Sequence, residues 1–292
     1  RHAQMLRDGL RDSADWMGAL MRVSHGDAPA ASKQGAALLP ERHLGLVAAH
    51  ELADSAQRLD AAADALAATP LGQMTAQDLQ RWAVDFPAPD NTTPVPALLA
   101  GRTVAVGRDA AFCFTYAANL QTLEQLGARV VFFSPLDDAA LPECDAVWLP
   151  GGYPELHAER LAAQRPLWAA LKAHVDAHRP LLAECGGLMS LFETLIDGEG
   201  REHALAGLLP GQVVMQKRLA GLGLQEVELP EGRLRGHTFH YSKSETPLTP
   251  LCTSVHPAGR TGEAVYRRER LTASYMHLYF PSNPQATARL FL

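Results

Sequence analysis

No stretch of this chain is apolar for long enough to span a bilayer as a helix, and no charged-then-apolar leader opens it. Cysteine is scarce. The four residues, at 113, 144, 185 and 252, lie far apart and form no Cys-x-x-Cys pair, which argues against a disulfide framework or a zinc site and for reduced thiols in a cytoplasm. Basic runs are missing as well: 26 Lys and Arg face 32 Asp and Glu, a net charge of −6, so a nucleic-acid surface is not expected. Nor is there a Gly-x-x-x-x-Gly-Lys-Ser/Thr loop to cradle phosphates. What is present is an enzyme-like balance. At 292 residues, 47% hydrophobic and 20% charged, the chain can bury a core and is long enough for more than one folding unit.

Pattern divides it into two unequal parts. Met5, Leu6 and Leu10 suggest a short helix, followed by a strand over 15–20 and a loop over 22–37 rich in Ala, Ser, Gly and Asp. Leu52, Ala56, Leu59, Ala63 and Leu66 have helical spacing, and Thr75 is a fitting N-cap for a helix that runs to Trp82. Then Phe86 to Pro96 packs four prolines into eleven residues, which sustains neither helix nor central strand and predicts a stiff linker over 86–100. Beyond it, apolar strands at 103–107, 130–133, 146–149 and 180–183 alternate with helices, one of them at 188–196. This is the signature of a parallel sheet covered on both faces. Strand patterns over 209–280 predict mixed or antiparallel strands that complete the domain.

Cys185 is the most informative residue. In Ala183-Glu-Cys-Gly-Gly-Leu-Met189 an apolar strand ends at a cysteine, and two glycines open a helix. A thiol at such a turn sits at a helix N-terminus, whose dipole favours thiolate, and the N–H groups of the turn can stabilise an oxyanion. The same geometry holds the serine of α/β hydrolases. Taken alone, the turn fits a buried structural cysteine equally well. Leu149-Pro-Gly-Gly-Tyr-Pro-Glu155 also follows a strand, and ligands of parallel sheets bind at carboxyl strand ends. Gly151 and Gly152 would let backbone approach a ligand, or would serve as an ordinary strand-to-helix turn. His174 and His178 have the i, i+4 spacing that can hold zinc, yet nothing beside them completes a site; an exposed helix face is expected.

These two motifs, with Gly236-His-Thr-Phe-His-Tyr-Ser242 and Ser274-Tyr-Met-His-Leu-Tyr-Phe280, occur in one order. Together they resemble the cobyrinate or hydrogenobyrinate a,c-diamide synthase family, specifically its glutamine amidotransferase domain. Leu39-Pro-Glu-Arg-His-Leu-Gly-Leu-Val47 resembles the end of that family's synthetase domain. The resemblance implies an α/β fold: a flavodoxin-like class I glutamine amidotransferase domain at 101–292 with a mainly parallel sheet, preceded over 1–85 by the tail of a P-loop-type synthetase domain. It implies glutamine- and ATP-dependent amidation of two carboxylates of a corrinoid acceptor, with ATP and Mg²⁺ held upstream of Arg1.

By the same resemblance Cys185 is the nucleophile and His277 the general base. Gly151, Gly152 and Gly186 are the natural oxyanion donors, and Tyr153 and Glu155 line the glutamine pocket by position only. A carboxylate two residues after the histidine completes the triad in many related enzymes; here that position is Tyr279, so no third member can be named. Glu184, next to Cys185, should point to the opposite face of its strand, or hydrogen-bond around the turn. His237 and His240 fall on opposite faces of a strand, with no role derivable. An amidotransferase for another acceptor, of the cobyric acid synthase, nickel-tetrapyrrole or peptidoglycan lipid type, stays open. So does an idle flavodoxin-like binding module.

Overall fold

The computed structural model describes residues 2–10, 14–20, 41–42, 45–47, 51–87 and 95–292. The loop expected at 22–37, the core of the proline-rich stretch and part of Leu39–Val47 lie outside them. The chain forms two compact units, Arg1–Thr92 and Thr93–Leu292.

In the first unit, helix α1 (His2–Leu10) is followed by an antiparallel pair, β1 (Glu41–Arg42) and β2 (Gly45–Leu46), then by helices α2 (Ser55–Ala67) and α3 (Ala76–Leu79). Thr75 caps α3 as its sequence predicts: its hydroxyl accepts the Asp78 N–H, and the Asp78 carboxylate accepts the Thr75 N–H. The strand expected over 15–20 is absent: these residues join no ladder. Gly18 has φ +116, and the Met17 carbonyl accepts the Leu71 N–H instead of a strand partner.

The second unit runs β3 (Thr103–Gly107), α4 (Ala117–Gln125), β4 (Arg129–Phe133), β5 (Ala146–Leu149), α5 (Ala158–Ala163), α6 (Arg165–Asp176), β6 (Leu181–Glu184) and α7 (Gly186–Leu191). Next come β7 (Phe192–Ile196), β8 (Glu202–Ala204), β9 (Leu209–Met215), β10 (Gly221–Leu229), β11 (Gly232–His240) and β12 (Ser242–Glu245). The unit ends with β13 (Cys252–Val255), β14 (Thr261–Arg268), β15 (Leu271–Ser274), β16 (His277–Tyr279) and α8 (Pro284–Leu290).

One ten-stranded sheet has the order β16-β11-β10-β13-β14-β15-β6-β5-β3-β4, beside a four-stranded sheet β12-β9-β7-β8. The β15-β6-β5-β3-β4 part is parallel, as the β-α-β alternation predicts, and its inner strands β15, β6 and β5 are buried on both faces. Along β5, Val147 and Leu149 join one core cluster and Ala146 and Trp148 the other, the period-2 alternation of a strand. Each fully buried Leu contributes about 1.5–3 kcal/mol.

From β15 onward the sheet turns antiparallel. β15 pairs with β14, and β16, two residues further along the chain, pairs with β11. A single stretch, Leu271 to Tyr279, thereby closes β11-β10-β13-β14 into a ring.

Two expectations are corrected here. The helix predicted over 188–196 begins at Gly186 and gives way at Phe192 to β7, because Thr194 and Ile196 pair with β9. His174 is not on an exposed helix face. It is 5% exposed, with Nε2 3.0 Å from the Pro180 carbonyl, because it shares the buried stripe of Leu167, Leu171 and Val175. His178 lies beyond α6 at φ 56, paired with Glu269 at 3.0 Å.

Candidate active site

Strands β5 and β6 end side by side, and their loops carry the two glycine pairs. The elbow is tight: Cys185 has φ 47 and ψ −105, a region costly for any side chain. The turn is pinned by Cys185 N–H to Ser274 O at 2.8 Å and Gly187 N–H to Pro150 O at 3.1 Å.

Glycine is required by contact. A Cβ on Gly186 would lie 2.9 Å from the Gly152 nitrogen, and one on Gly187 would strike the Leu149 carbonyl. The β5 loop and the elbow therefore pack backbone on backbone. The loop after β3 joins them, with Phe114 N–H to Gly151 O at 3.0 Å and Tyr153 N–H to Ala111 O at 2.9 Å.

Cys185 and His277, 92 positions apart in the sequence, converge on Gly151. A Cβ on that glycine would collide with His277 Cε1, lie 3.1 Å from its Nδ1, and lie 3.3 Å from the Cys185 Cβ. Both side chains are buried, at 1% and 2% exposure. His277 stacks on His237, with centroids 5.0 Å apart and planes 12° from parallel, and Phe114 and Tyr116 close in at 6.1 and 6.4 Å. The Tyr116 hydroxyl is 3.2 Å from His237 Nε2. Nδ1 of His277 is buried and has no hydrogen-bond partner.

Burial dominates the electrostatics. It pushes His277 down to about 3, with the charges of His237 and His240 acting the same way. The Cys185 thiol is pushed well above its ordinary value by burial and then by the Glu155 carboxylate, while the Gly186 N–H works against them. The expected preference for thiolate is thus corrected: α7 has six residues, and desolvation outweighs its dipole. Burial therefore favours the uncharged form of both the thiol and the imidazole.

Among the residues singled out by sequence, Gly151, Gly152 and Gly186 meet at this point. Tyr153 is buried, its ring 5.1 Å from Phe114 in an edge-to-face pair. Glu184 does reach away from the thiol. Its carboxylate accepts the Trp148 indole N–H at 3.0 Å and the Leu278 backbone N–H at 2.9 Å, and burial pushes it up to about 8 against these bonds.

His240 faces the opposite side, stacked on Tyr275 at 3.8 Å, with Nε2 3.0 Å from Glu263 and Nδ1 2.9 Å from the Ser242 carbonyl. Sequence reasoning missed Phe114, Tyr116 and Asn119. The β3 loop was open to detection, since it too leaves a carboxyl strand end. A cavity of about 470 Å³ opens beside His277, lined by Tyr116, Leu224, Arg235, His237 and Tyr279.

The structure thus brings a buried thiol on a strained strand-to-helix turn, a buried histidine and a glycine-lined wall to one place. The profile of the CobB/CobQ-like glutamine amidotransferase domain matches residues 103–285, and the chain belongs to that family. It is 50% identical over 291 residues to the hydrogenobyrinate a,c-diamide synthase of Pseudomonas aeruginosa, covering 99% of this chain and 63% of that protein. The Stutzerimonas stutzeri protein of the same name is 52% identical, with 99% and 64% covered. The cobyrinate a,c-diamide synthase of Herminiimonas arsenicoxydans is 46% identical, with 87% and 57% covered. The chain spans less than two thirds of the length of these curated relatives.

Proposed function

We propose that Thr93–Leu292 hydrolyses glutamine and that, in the whole protein, the ammonia amidates the a and c carboxylates of hydrogenobyrinate or cobyrinate in cobalamin synthesis. The observation that carries the glutaminase half is the convergence of Cys185 and His277 on Gly151. The corrinoid half rests on what the relatives are named for.

The His277 imidazole takes the thiol proton as Cys185 sulfur attacks the side-chain amide carbon of glutamine. Burial keeps His277 neutral at rest, which leaves one ring nitrogen with a free lone pair. Charge moves to the amide oxygen, for which Gly151, Gly152 and Gly186 are the proposed N–H donors. The carbon–nitrogen bond then breaks, the His277 proton goes to the departing nitrogen, and ammonia leaves a thioester. Water, deprotonated by the same imidazole, adds to the thioester and releases glutamate and the thiol.

The sequence carries no Gly-x-x-x-x-Gly-Lys-Ser/Thr phosphate loop, and among the described residues no three His, Cys, Asp or Glu side chains gather to hold a metal. No step above runs through ATP or Mg²⁺. We assign 1–85 to the end of the synthetase domain and 86–100 to a linker.

The test is a glutaminase assay with and without labelling by 6-diazo-5-oxo-norleucine, a glutamine analogue that alkylates active-site thiols. The expected result is glutamate release and one label per chain, both lost in Cys185→Ser and Cys185→Ala. Labelling at another cysteine, or hydrolysis that survives Cys185→Ala, would refute the assignment.

A further inference from the structure

Among the described residues, the backbone that carries His277 has a strand neighbour on one side only. On that side β16 pairs with β11, in the register His237 to His277, Gly236 to Leu278 and Arg235 to Tyr279. On the other side no strand is in the ladder, because the chain has just left β15 and bent through Tyr275 and Met276. Two buried side chains fill that gap. Glu184 accepts the Leu278 N–H at 2.9 Å. Asn119, on α4, donates to the Leu278 carbonyl at 2.8 Å and accepts the Phe280 N–H at 2.9 Å. Glu184 is 1% exposed and Asn119 0%. Every backbone polar group of Leu278 that faces away from β11 is thus met by a side chain, as buried amides require.

We propose that Glu184 and Asn119 are positioning residues for His277: they act as a side-chain substitute for the missing strand and set the imidazole against the elbow. Glu184 precedes Cys185 directly, so the strand that ends in the thiol also grips the residue after the base. The two reacting groups are therefore referenced to one another through a single carboxylate, whose second oxygen is held by the Trp148 indole at 3.0 Å. Tyr279, two residues after His277, is 48% exposed, and Nδ1 of His277 has no partner. Orientation of the ring then rests on its stacking against His237 and on the backbone that carries it.

The chemistry selects the variants. Both oxygens of a carboxyl group can accept, so Glu184 serves Leu278 and Trp148 together. In Glu184→Gln one of the two N–H groups must face an NH₂, two donors with no acceptor between them. Asn119→Asp keeps the acceptor for Phe280 but sets an oxygen against the Leu278 carbonyl. A displacement of the imidazole by about 1 Å can cost on the order of 100-fold in rate, whereas Cys185 and the glycines beside it are unchanged in both variants.

This inference rests on the glutaminase reading. Steady-state glutamine hydrolysis by the wild type, Glu184→Gln and Asn119→Asp, with thermal melts of each, tests it. We expect kcat to fall about 10- to 100-fold in both variants, with KM for glutamine within about threefold of wild type and labelling of Cys185 by the glutamine analogue retained in slower form. A folded variant whose kcat stays within about threefold of wild type overturns the proposal, as does a loss carried by KM. Should Glu184→Gln fail to fold, Asn119→Asp decides by the same criteria. A wild-type chain that neither hydrolyses glutamine nor takes the label fails at the earlier step and removes the glutaminase reading, and this proposal with it.

Discussion

His237 lies flat against His277, ring on ring, 5.0 Å between centroids. Its own outer edge is 3.2 Å from the Tyr116 hydroxyl, so the candidate base is backed by a second imidazole that is itself tethered. A positive charge on either ring is unwelcome to the other.

That relationship gives a pH dependence with a definite sign. His277 is pushed from the ordinary 6.5 of a histidine down to about 3, by burial first and then by His237 and His240. The unfolded chain therefore binds a proton that the folded chain refuses. The stability this group contributes is complete above pH 6.5 and is lost as pH falls towards about 3. Urea unfolding at stepped pH should show wild type losing a few kcal/mol more than His277→Asn across that window. Parallel curves for the two proteins would contradict it.

Gly151 and Gly152 should respond differently to alanine. At Gly151 the new methyl meets the His277 ring and the Cys185 side chain; at Gly152 it meets the Ala111 carbonyl and the Phe112 backbone. Gly151→Ala should cost on the order of 100-fold in glutamine hydrolysis with a melting temperature close to wild type. Gly152→Ala should cost about 1–3 kcal/mol in stability, since backbone yields less readily than a ring. Equal effects on rate and stability at the two positions would show that the wall is not divided in this way.

The elbow should invert a familiar ordering. Alanine normally outranks glycine in a helix by about 0.5–1 kcal/mol. At Cys185, with φ 47 and ψ −105, any Cβ carries backbone strain of about 1–3 kcal/mol. Both Cys185→Gly and Cys185→Ala should be inactive, yet the glycine variant should be the more stable by about 1 kcal/mol. Denaturant midpoints decide between the two orders.

The Glu263 carboxylate accepts the Thr238 hydroxyl at 3.0 Å and meets His240 Nε2 at 3.0 Å, while the Glu263 N–H donates to Gln225 Oε1 and Ser254 Oγ. Burial raises its carboxyl, but the His240 and Thr238 hydrogen bonds outweigh it and hold the group below its usual range. Removing one partner strands the other: Glu263→Ala should cost about 3–5 kcal/mol. The paired change His240→Phe with Glu263→Leu should cost less than Glu263→Ala alone. A double-mutant cycle in urea measures the difference.

Much of this was open to reading in the residues. Glycine pairs after apolar strands mark the β5 and β6 ends, and strand-end logic brings Cys185 and Gly151 together. The burial of His174 was legible too, since Leu167, Leu171 and Val175 place it on the inner stripe of α6. Other features were not. Leu188, Leu191, Phe192 and Leu195 keep a helical spacing, yet Phe192–Ile196 is a strand because β9 is there to receive it. In β14, Thr261–Arg268, charged residues interrupt the alternation expected of a half-buried strand. The reach of Glu184 to Leu278 depends on a strand folding back from 94 positions away, and no local pattern encodes it.

The stretch Leu271 to Tyr279 belongs to the parallel half through β6 and to the antiparallel half through β11 and β14. Neither half has a finished edge without it. Melting should therefore run through the whole of Thr93–Leu292 at once, with calorimetric and van't Hoff enthalpies in agreement. A subdomain excised on either side of that stretch would keep its helices but lose its cooperativity.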